Sequence, residues 1–284
     1  MTASAVVVIG DALLDVTARP AISVRAGADV PADIRLGGGG QGANLAVRLA
    51  RQGIEVALIC GLGKDAAGSL VTDALRVEGV RLKPVPVDAT GSVVILLDED
   101  GERTMLSQRA PFVAGIDPPG GRWTVVSGYC FLETDAAAFA RRLADFAGVR
   151  VVVGCTVPEP SREDWRAVVA SARPDLLILN RDEAQAMAPT DDLGARTVVT
   201  ANDVIECSVD GMRLTIAVPP GPPAIDTTGA GDAFAAALVA GLMALPWPPP
   251  SEAFEAAVTS AATVAGQVAR APGAQARVAA EARA

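Results

Sequence analysis

Asp226-Thr227-Thr228-Gly229-Ala230-Gly231-Asp232-Ala233-Phe234 follows a proline-rich loop and opens an apolar helix. The helix is legible because Phe234, Leu238, Leu242 and Leu245 recur at the spacing of one helical face. Small residues at 229–231 let a ligand approach the backbone closely. Their N–H groups are the unpaired donors of a helix start, aimed at an anion with the helix dipole behind them. A carboxylate right there is odd for an anion site unless it has a task. Asp232 can take a proton from a hydroxyl that attacks a phosphorus held by those amides. A second reading fits the same residues, because acids are favoured in any first helical turn. The local pattern leaves the two readings level.

Working outward, short apolar runs recur at 5–9, 56–59, 125–126, 149–153, 176–179 and 197–199. They read as buried strands. Between them lie helical patterns. Ala46, Leu49, Ala50 and Gly53 share one face, as do Leu70, Ala74 and Val77. Segments 135–147 and 161–172 are Ala/Arg-rich, with Thr134 and Ser161 as N-cap candidates. Helices are expected over 231–245 and 251–270, separated by Pro246–Pro250. Strand–helix alternation of this kind predicts an α/β protein, with a mostly parallel sheet and helices on both faces. Two regions break the alternation. Segments 90–98 and 102–108 read as a hairpin turning at Asp98-Glu99-Asp100-Gly101, and residues 16–36 lack helical period. Together they predict a small antiparallel layer beside the main sheet. A second hairpin is expected over 204–218, turning at Asp210-Gly211, and the Ala/Arg-rich last dozen residues are expected to fray.

Composition removes several chemistries. The 284 residues include no histidine, so there is no Ser-His-Asp triad, Cys-His dyad or histidine-ligated metal. Lys64 and Lys83 are the only lysines, and neither follows the GxxxxG run of a phosphate-binding P-loop. A net charge of −9 without a basic cluster disfavours a nucleic-acid partner. The apolar stretch that opens at Ala233 ends at Pro246, short of the ~20 residues that span a bilayer. No basic region precedes the N-terminal apolar run, so no secretory signal and no membrane partner are expected. Cys60, Cys130, Cys155 and Cys207 are scattered, as reduced cysteines of a cytoplasmic protein would be.

Three further stretches carry chemistry. Gly37-Gly38-Gly39-Gly40-Gln41-Gly42-Ala43-Asn44 precedes a helix. It suits a polyhydroxyl ligand meeting backbone amides, with Asn44 offering a donor and an acceptor; a flexible glycine loop is the plainer reading. Gly37, Gly39 and Gly42 also satisfy GxGxxG, but no buried strand leads into them and Glu55 comes too early for the ribose acid. Gly10-Asp11-Ala12-Leu13-Leu14-Asp15 lies at the C-terminal end of the first strand, where ligands of parallel sheets bind. Asp15 can accept two hydroxyls there, or sit in a solvated turn. Asn180-Arg181-Asp182-Glu183 follows a strand. Asn180 and Glu183 can reach a hydrated Mg2+ or a phosphate, and a plain helix N-terminus explains them equally well.

Taken together and in this order, these stretches resemble the ribokinase-like (PfkB-type) carbohydrate kinases, from Gly10 to about Gln275. Gly61-Leu62-Gly63-Lys64-Asp65-Ala66-Ala67-Gly68 is similar to that family's G-x-G-x-D-x-x-G segment. The resemblance implies a three-layer α/β fold. Residues 1–15, 37–89 and 109–284 would form a large domain, and 16–36 with 90–108 a small β lid. ATP would give its γ-phosphoryl group to a hydroxyl of a sugar or sugar-like molecule. Asp232 would be the base, and the N–H groups of Gly229, Ala230 and Gly231 the anion hole. Asp15, Gly39, Gly40, Asn44 and Glu133 would hold the acceptor. Asn180, Thr200 and Thr228 would lie by the nucleotide, with Glu183 organising Mg2+ through water. Asp226, Thr228 and Gly273 resemble the loop that binds a monovalent cation in part of the family, which allows for K+, although Arg277 replaces a small residue there. The exposed edge of a β lid suits a homodimer.

The chain also departs from that pattern. Thr200-Ala201-Asn202-Asp203-Val204-Ile205 stands where the family has T-x-G-x-x-G, so both glycines are lost and Asp203 is expected to bring negative charge near the triphosphate. Leu13 replaces a polar sugar ligand, which argues against ribose. The rival readings are a nucleoside kinase using Phe112, Tyr129 or Phe131 as a shelf for the base, a catalytically weak ligand-binding protein, and a dinucleotide-dependent oxidoreductase resting on GxGxxG alone.

Overall fold

The structure is a computed structural model that describes residues 5–98, 103–116, 122–190, 193, 195–222, 224–271, 273 and 275. In chain order its elements are β1 (Val6–Ile9), β2 (Leu13–Pro20), β3 (Ala32–Gly39), α1 (Gln41–Ala50), β4 (Val56–Leu62), α2 (Ala66–Val77), β5 (Arg81–Pro86), β6 (Ser92–Leu97), β7 (Arg103–Gln108), β8 (Trp123–Ser127), α3 (Ala136–Ala144), β9 (Val149–Val153), α4 (Arg162–Ser171), β10 (Leu176–Asn180), α5 (Arg181–Met187), β11 (Arg196–Thr200), β12 (Val204–Val209), β13 (Met212–Ala217), α6 (Ala230–Met243) and α7 (Ser251–Val268).

The main sheet runs β13-β12-β11-β10-β9-β8-β1-β4-β5. From β5 to β11 the strands are parallel; β12 and β13 close the far edge antiparallel. Helices cover both faces, which is why the central strands read as unbroken apolar runs. Val6 and Val8 pack into one core with α1, α6 and α7, while Val7 and Ile9 face the other with α3 and α4. The same split sends Val125, Val151 and Ile178 to the first core, and Val126, Val152 and Leu177 to the second. The turn at Asp210-Gly211 has φ of 50° and 81° at its two residues, the left-handed pair that a two-residue hairpin requires.

Strand β5 has no sequence signature. Pro84 and Pro86 interrupt it, and it is tolerated because it sits at the edge, where one backbone direction needs no partner. The smaller sheet runs β3-β2-β6-β7. It is mixed rather than antiparallel: β2 pairs β3 antiparallel but β6 in parallel. The pairing of β6 with β7 is antiparallel, as expected, while the predicted turn at 98–101 lies outside the described residues beyond Asp98. The last residues of the chain, with Arg277, also lie outside them. At the predicted caps, α3 starts after Asp135 rather than Thr134, and Ser161 makes no side-chain cap bond. Among the described residues no helix is long and apolar enough to cross a membrane.

Strand β3 explains why the GxGxxG run is no dinucleotide fingerprint. A strand does precede the loop, but it belongs to the small sheet and its residues up to Gly37 are exposed.

Candidate active site

Every parallel strand of the main sheet points its C-terminal end at the same edge. Asp11 follows β1, Gly128 follows β8, Gly154 follows β9, and Asn180 and Thr200 end β10 and β11 in register. The start of α1 packs directly on this edge. A Cβ on Gly10 would lie 2.7 Å from the Gly42 Cα, so neither backbone could come this close with a side chain between them. Gln41 then braces two strand ends, those of β8 and β9. Its Nε2 donates to the Gly154 carbonyl at 2.7 Å, and its Oε1 accepts from Ser127 Oγ at 2.7 Å and Gly128 N at 3.2 Å.

The small sheet roofs this edge. Its side chains alternate between faces. Leu13 and Asp15 on β2, Val93 and Ile95 on β6, and Arg103 and Met105 on β7 line a cleft of about 350 Å³. Its floor is Gly40, Gln41, Asn44, Thr227, Thr228, Gly229 and Asp232. The structure therefore brings Asp15, Gly40, Asn44, Thr228, Gly229 and Asp232 into one cavity. Gly39 is beside it: a Cβ there would strike the Asp15 carboxylate.

Asp232 lies in the first turn of α6 behind Gly229, whose φ of 73° is left-handed. Asn44 Nδ2 donates to Asp232 Oδ2 at 2.8 Å. Burial pushes the Asp232 carboxyl up from 3.8 to about 7; the Asn44 hydrogen bond opposes this, Asp11 adds to it, Arg48 opposes it and Glu183 adds to it. Of the helix-start amides, Ala230 N–H donates to the Thr227 carbonyl at 3.2 Å. Among the described residues no backbone carbonyl accepts from the N–H of Gly229, Gly231 or Asp232. Asp15 is also raised, to about 6, by burial first and by Asp11 second, with Arg109 opposing.

Glu133 lies in a neighbouring cavity of about 380 Å³, which shares Arg109 and Tyr129 with the first. Its Oε2 accepts from Phe112 N at 2.7 Å and Val113 N at 2.9 Å. Asn180 and Glu183 form a reciprocal capping box on α5, with bonds of 2.8 and 2.9 Å. The plain helix-start reading is thus satisfied, yet Glu183 is near enough to raise Asp232. Thr200 Oγ1 donates to the Leu179 carbonyl at 3.3 Å. Asp203 is exposed and lies 3.6 Å from Arg181, so its charge is partly countered.

Sequence reasoning passed over three participants. Asp11 is 6% exposed and accepts from Gly42 N at 3.3 Å and Arg109 Nε at 3.2 Å. Arg109 in turn stacks over the Tyr129 ring, 3.5 Å from its centroid. Arg103 reaches from β7 across the cleft to donate to Thr227 Oγ1 at 3.2 Å and to Thr228 Oγ1. A lone arginine carries no motif, so only the fold reveals Arg103 and Arg109; Asp11 stood in a quoted stretch, where Asp15 took the attention. All four cysteines are free and buried, and burial raises every thiol, so none is poised as a thiolate nucleophile.

A profile of the pfkB family carbohydrate kinases matches residues 3–281. A fructokinase of Klebsiella pneumoniae is 31% identical over 241 residues, covering 72% of this chain and 77% of that protein. A crystal structure of ribokinase from Thermotoga maritima superposes with a TM-score of 0.78 at 19% identity, covering 96% of this chain and 95% of that one. A crystal structure of adenosine kinase from Sinorhizobium meliloti also gives 0.78, at 21% identity, covering 99% and 98%.

Proposed function

Because the chain belongs to the PfkB family of carbohydrate kinases, we propose that it transfers the γ-phosphoryl group of ATP to a hydroxyl of a sugar or sugar-like molecule, with Asp232 as the base. One observation carries this reading: a carboxylate raised to about 7 stands at the free amides of the α6 start, held by Asn44, inside a cleft roofed by the small sheet. A base of that strength is half-ionised near neutral pH, where proton abstraction is most effective. Asn44 occupies Oδ2, which leaves Oδ1 to take the proton of the attacking hydroxyl. The N–H groups of Gly229 and Gly231 stabilise negative charge on the transferring phosphoryl group, and their geometry is set before substrate arrives. Asp15, with Gly39 and Gly40 beside it, holds the acceptor's other hydroxyls, and Glu133 bounds the adjoining chamber.

Asn180, Thr200 and Thr228 lie on the nucleotide side. Among the described residues no group of three acids forms a metal cage. Mg2+ takes one or two carboxylates and otherwise nucleotide phosphates and waters. Glu183 is the carboxylate that would hold it through water, and a bound Mg2+ would supply charge neutralisation of the phosphates. The small sheet of β2, β3, β6 and β7 acts as a lid that excludes water from the cleft.

A nucleoside acceptor is the second reading. The chamber beyond Arg109 and Tyr129 is lined by Phe112, Tyr129 and Leu132, which suits a base attached to a sugar in the first cavity. Phe131 is 3% exposed in the core and does not contribute. A homodimer through the small sheet is supported by its outer face. There Leu36, Val16, Val94 and Leu106 lie side by side in register, and Leu36 and Leu106 are each 60% exposed. The deciding assay gives the purified protein ATP, Mg2+ and a panel of pentoses, hexoses, keto-sugar acids, inositol and nucleosides, with ADP release and product mass as readouts. Phosphorylated product from a free sugar supports the first reading and from nucleosides alone the second; no product from any acceptor removes both.

A further inference from the structure

The loop at 226–228 does not fit the monovalent cation that its sequence suggests. Asp226 Oδ1 accepts from Thr228 N at 2.8 Å and from Thr228 Oγ1, and Asp226 Oδ2 accepts from Gly273 N at 2.8 Å. The carboxylate is therefore already bonded at both oxygens. A cation is present as well, but it belongs to the chain. Arg103 Nη1 lies 3.7 Å from Asp226 Oδ1 and donates to Thr228 Oγ1, while its Nη2 donates to Thr227 Oγ1 at 3.2 Å. An alkali ion entering here would meet the guanidinium charge at a carboxylate that already accepts three hydrogen bonds.

We propose that Arg103 is the built-in cation of the Asp226–Thr228 loop, so that this chain needs no monovalent ion. Arg103 belongs to β7 of the small sheet, and the loop it charges leads straight into Gly229 and the free amides of α6. The positive charge therefore arrives only when the small sheet lies over the cleft. Arg103 acts through Thr227 and Thr228 and is a positioning residue for the helix start. A guanidinium suits this task better than an ammonium, because its planar fork reaches two hydroxyls at once.

The test has one arm that does not depend on the kinase reading on which the activity arm rests. Melting of the wild type would be followed in potassium, sodium and choline chloride at equal ionic strength. The expected result is one midpoint in all three salts for wild type, with a potassium-specific rise of about 3 °C or more appearing in Arg103→Gln, where the loop's charge is vacated. In the activity arm, Arg103→Gln should lose roughly 10-fold or more in kcat with little change in the KM of the acceptor, recover in part with millimolar guanidinium or potassium, and be surpassed by Arg103→Lys. A potassium-specific rise in wild-type melting or rate overturns the proposal. So does an Arg103→Gln protein that matches wild type in both arms. Should no acceptor be turned over, the kinase reading fails while the melting arm still decides the cation.

Discussion

Asn44 and Asp232 are 188 residues apart in the chain and 2.8 Å apart in the fold. The bond joins the first helix of the sheet edge to the helix start that carries the free amides. The ionised Asp232 carboxylate can only accept, so the Asn44 amide presents Nδ2 to it, while Asn44 Oδ1 accepts from Gln275 Nε2 at 3.0 Å. Asp232 is thereby oriented from outside its own helix. A first-turn acid that served only the helix dipole would need no such partner.

Asp232→Asn should lower kcat by ~10²-fold or more, the usual consequence of losing a positioned base. The KM for ATP should hardly move, because the helix amides remain. Steady-state ADP release against ATP and acceptor concentration checks this, and near-normal kcat would end the assigned role.

The pH profile follows from the same group. Asp232 must be ionised to act, so kcat/KM should rise with pH to a plateau above about 7. Asn44's hydrogen bond favours the charged form, so Asn44→Leu should move the acid limb to higher pH as well as lowering the plateau. An unmoved limb would show that another group titrates.

Stability should run the other way. The Asp232 carboxyl is raised from 3.8 to about 7 chiefly by burial. Between those values the folded chain keeps a proton that the unfolded chain has lost. Its contribution to stability is full at acid pH and is lost as pH rises through about 7. Asp232→Asn removes that loss. The variant should melt above wild type at about pH 8, with a gap that closes towards about pH 4. Thermal melts across the range test this, and a gap independent of pH would contradict it.

The sequence makes the central sheet and the Asp226–Phe234 helix start legible for one reason: both rest on local periodicity and backbone chemistry. The edge strand β5 is illegible because Pro84 and Pro86 erase the pattern that a buried strand needs. Contacts between distant segments are illegible in another way. Nothing local marks Arg103 for Thr227, Arg109 for Asp11, or Gln41 for the ends of β8 and β9. Residue type suggests what a side chain can do, and only the register of the small sheet over the main one says what it meets.

Asp203 shows how the fold revises an electrostatic expectation. Read as a charge beside the triphosphate, it predicts that Asp203→Gly would tighten ATP binding. In the structure Asp203 is 78% exposed, 3.6 Å from Arg181, in the short turn where Ala201 N–H donates to the Val204 carbonyl. Water and the guanidinium both screen its field. Removing it also frees Arg181, so a small gain in ATP affinity of about twofold is the most that screening allows. The salt dependence separates the causes. If repulsion by Asp203 governs the nucleotide, the KM for ATP of Asp203→Gly should fall several-fold at low salt and converge with wild type at high salt. If solvent and salt already screen it, the two KM values should stay within about twofold at every ionic strength, which is the outcome this exposed geometry predicts.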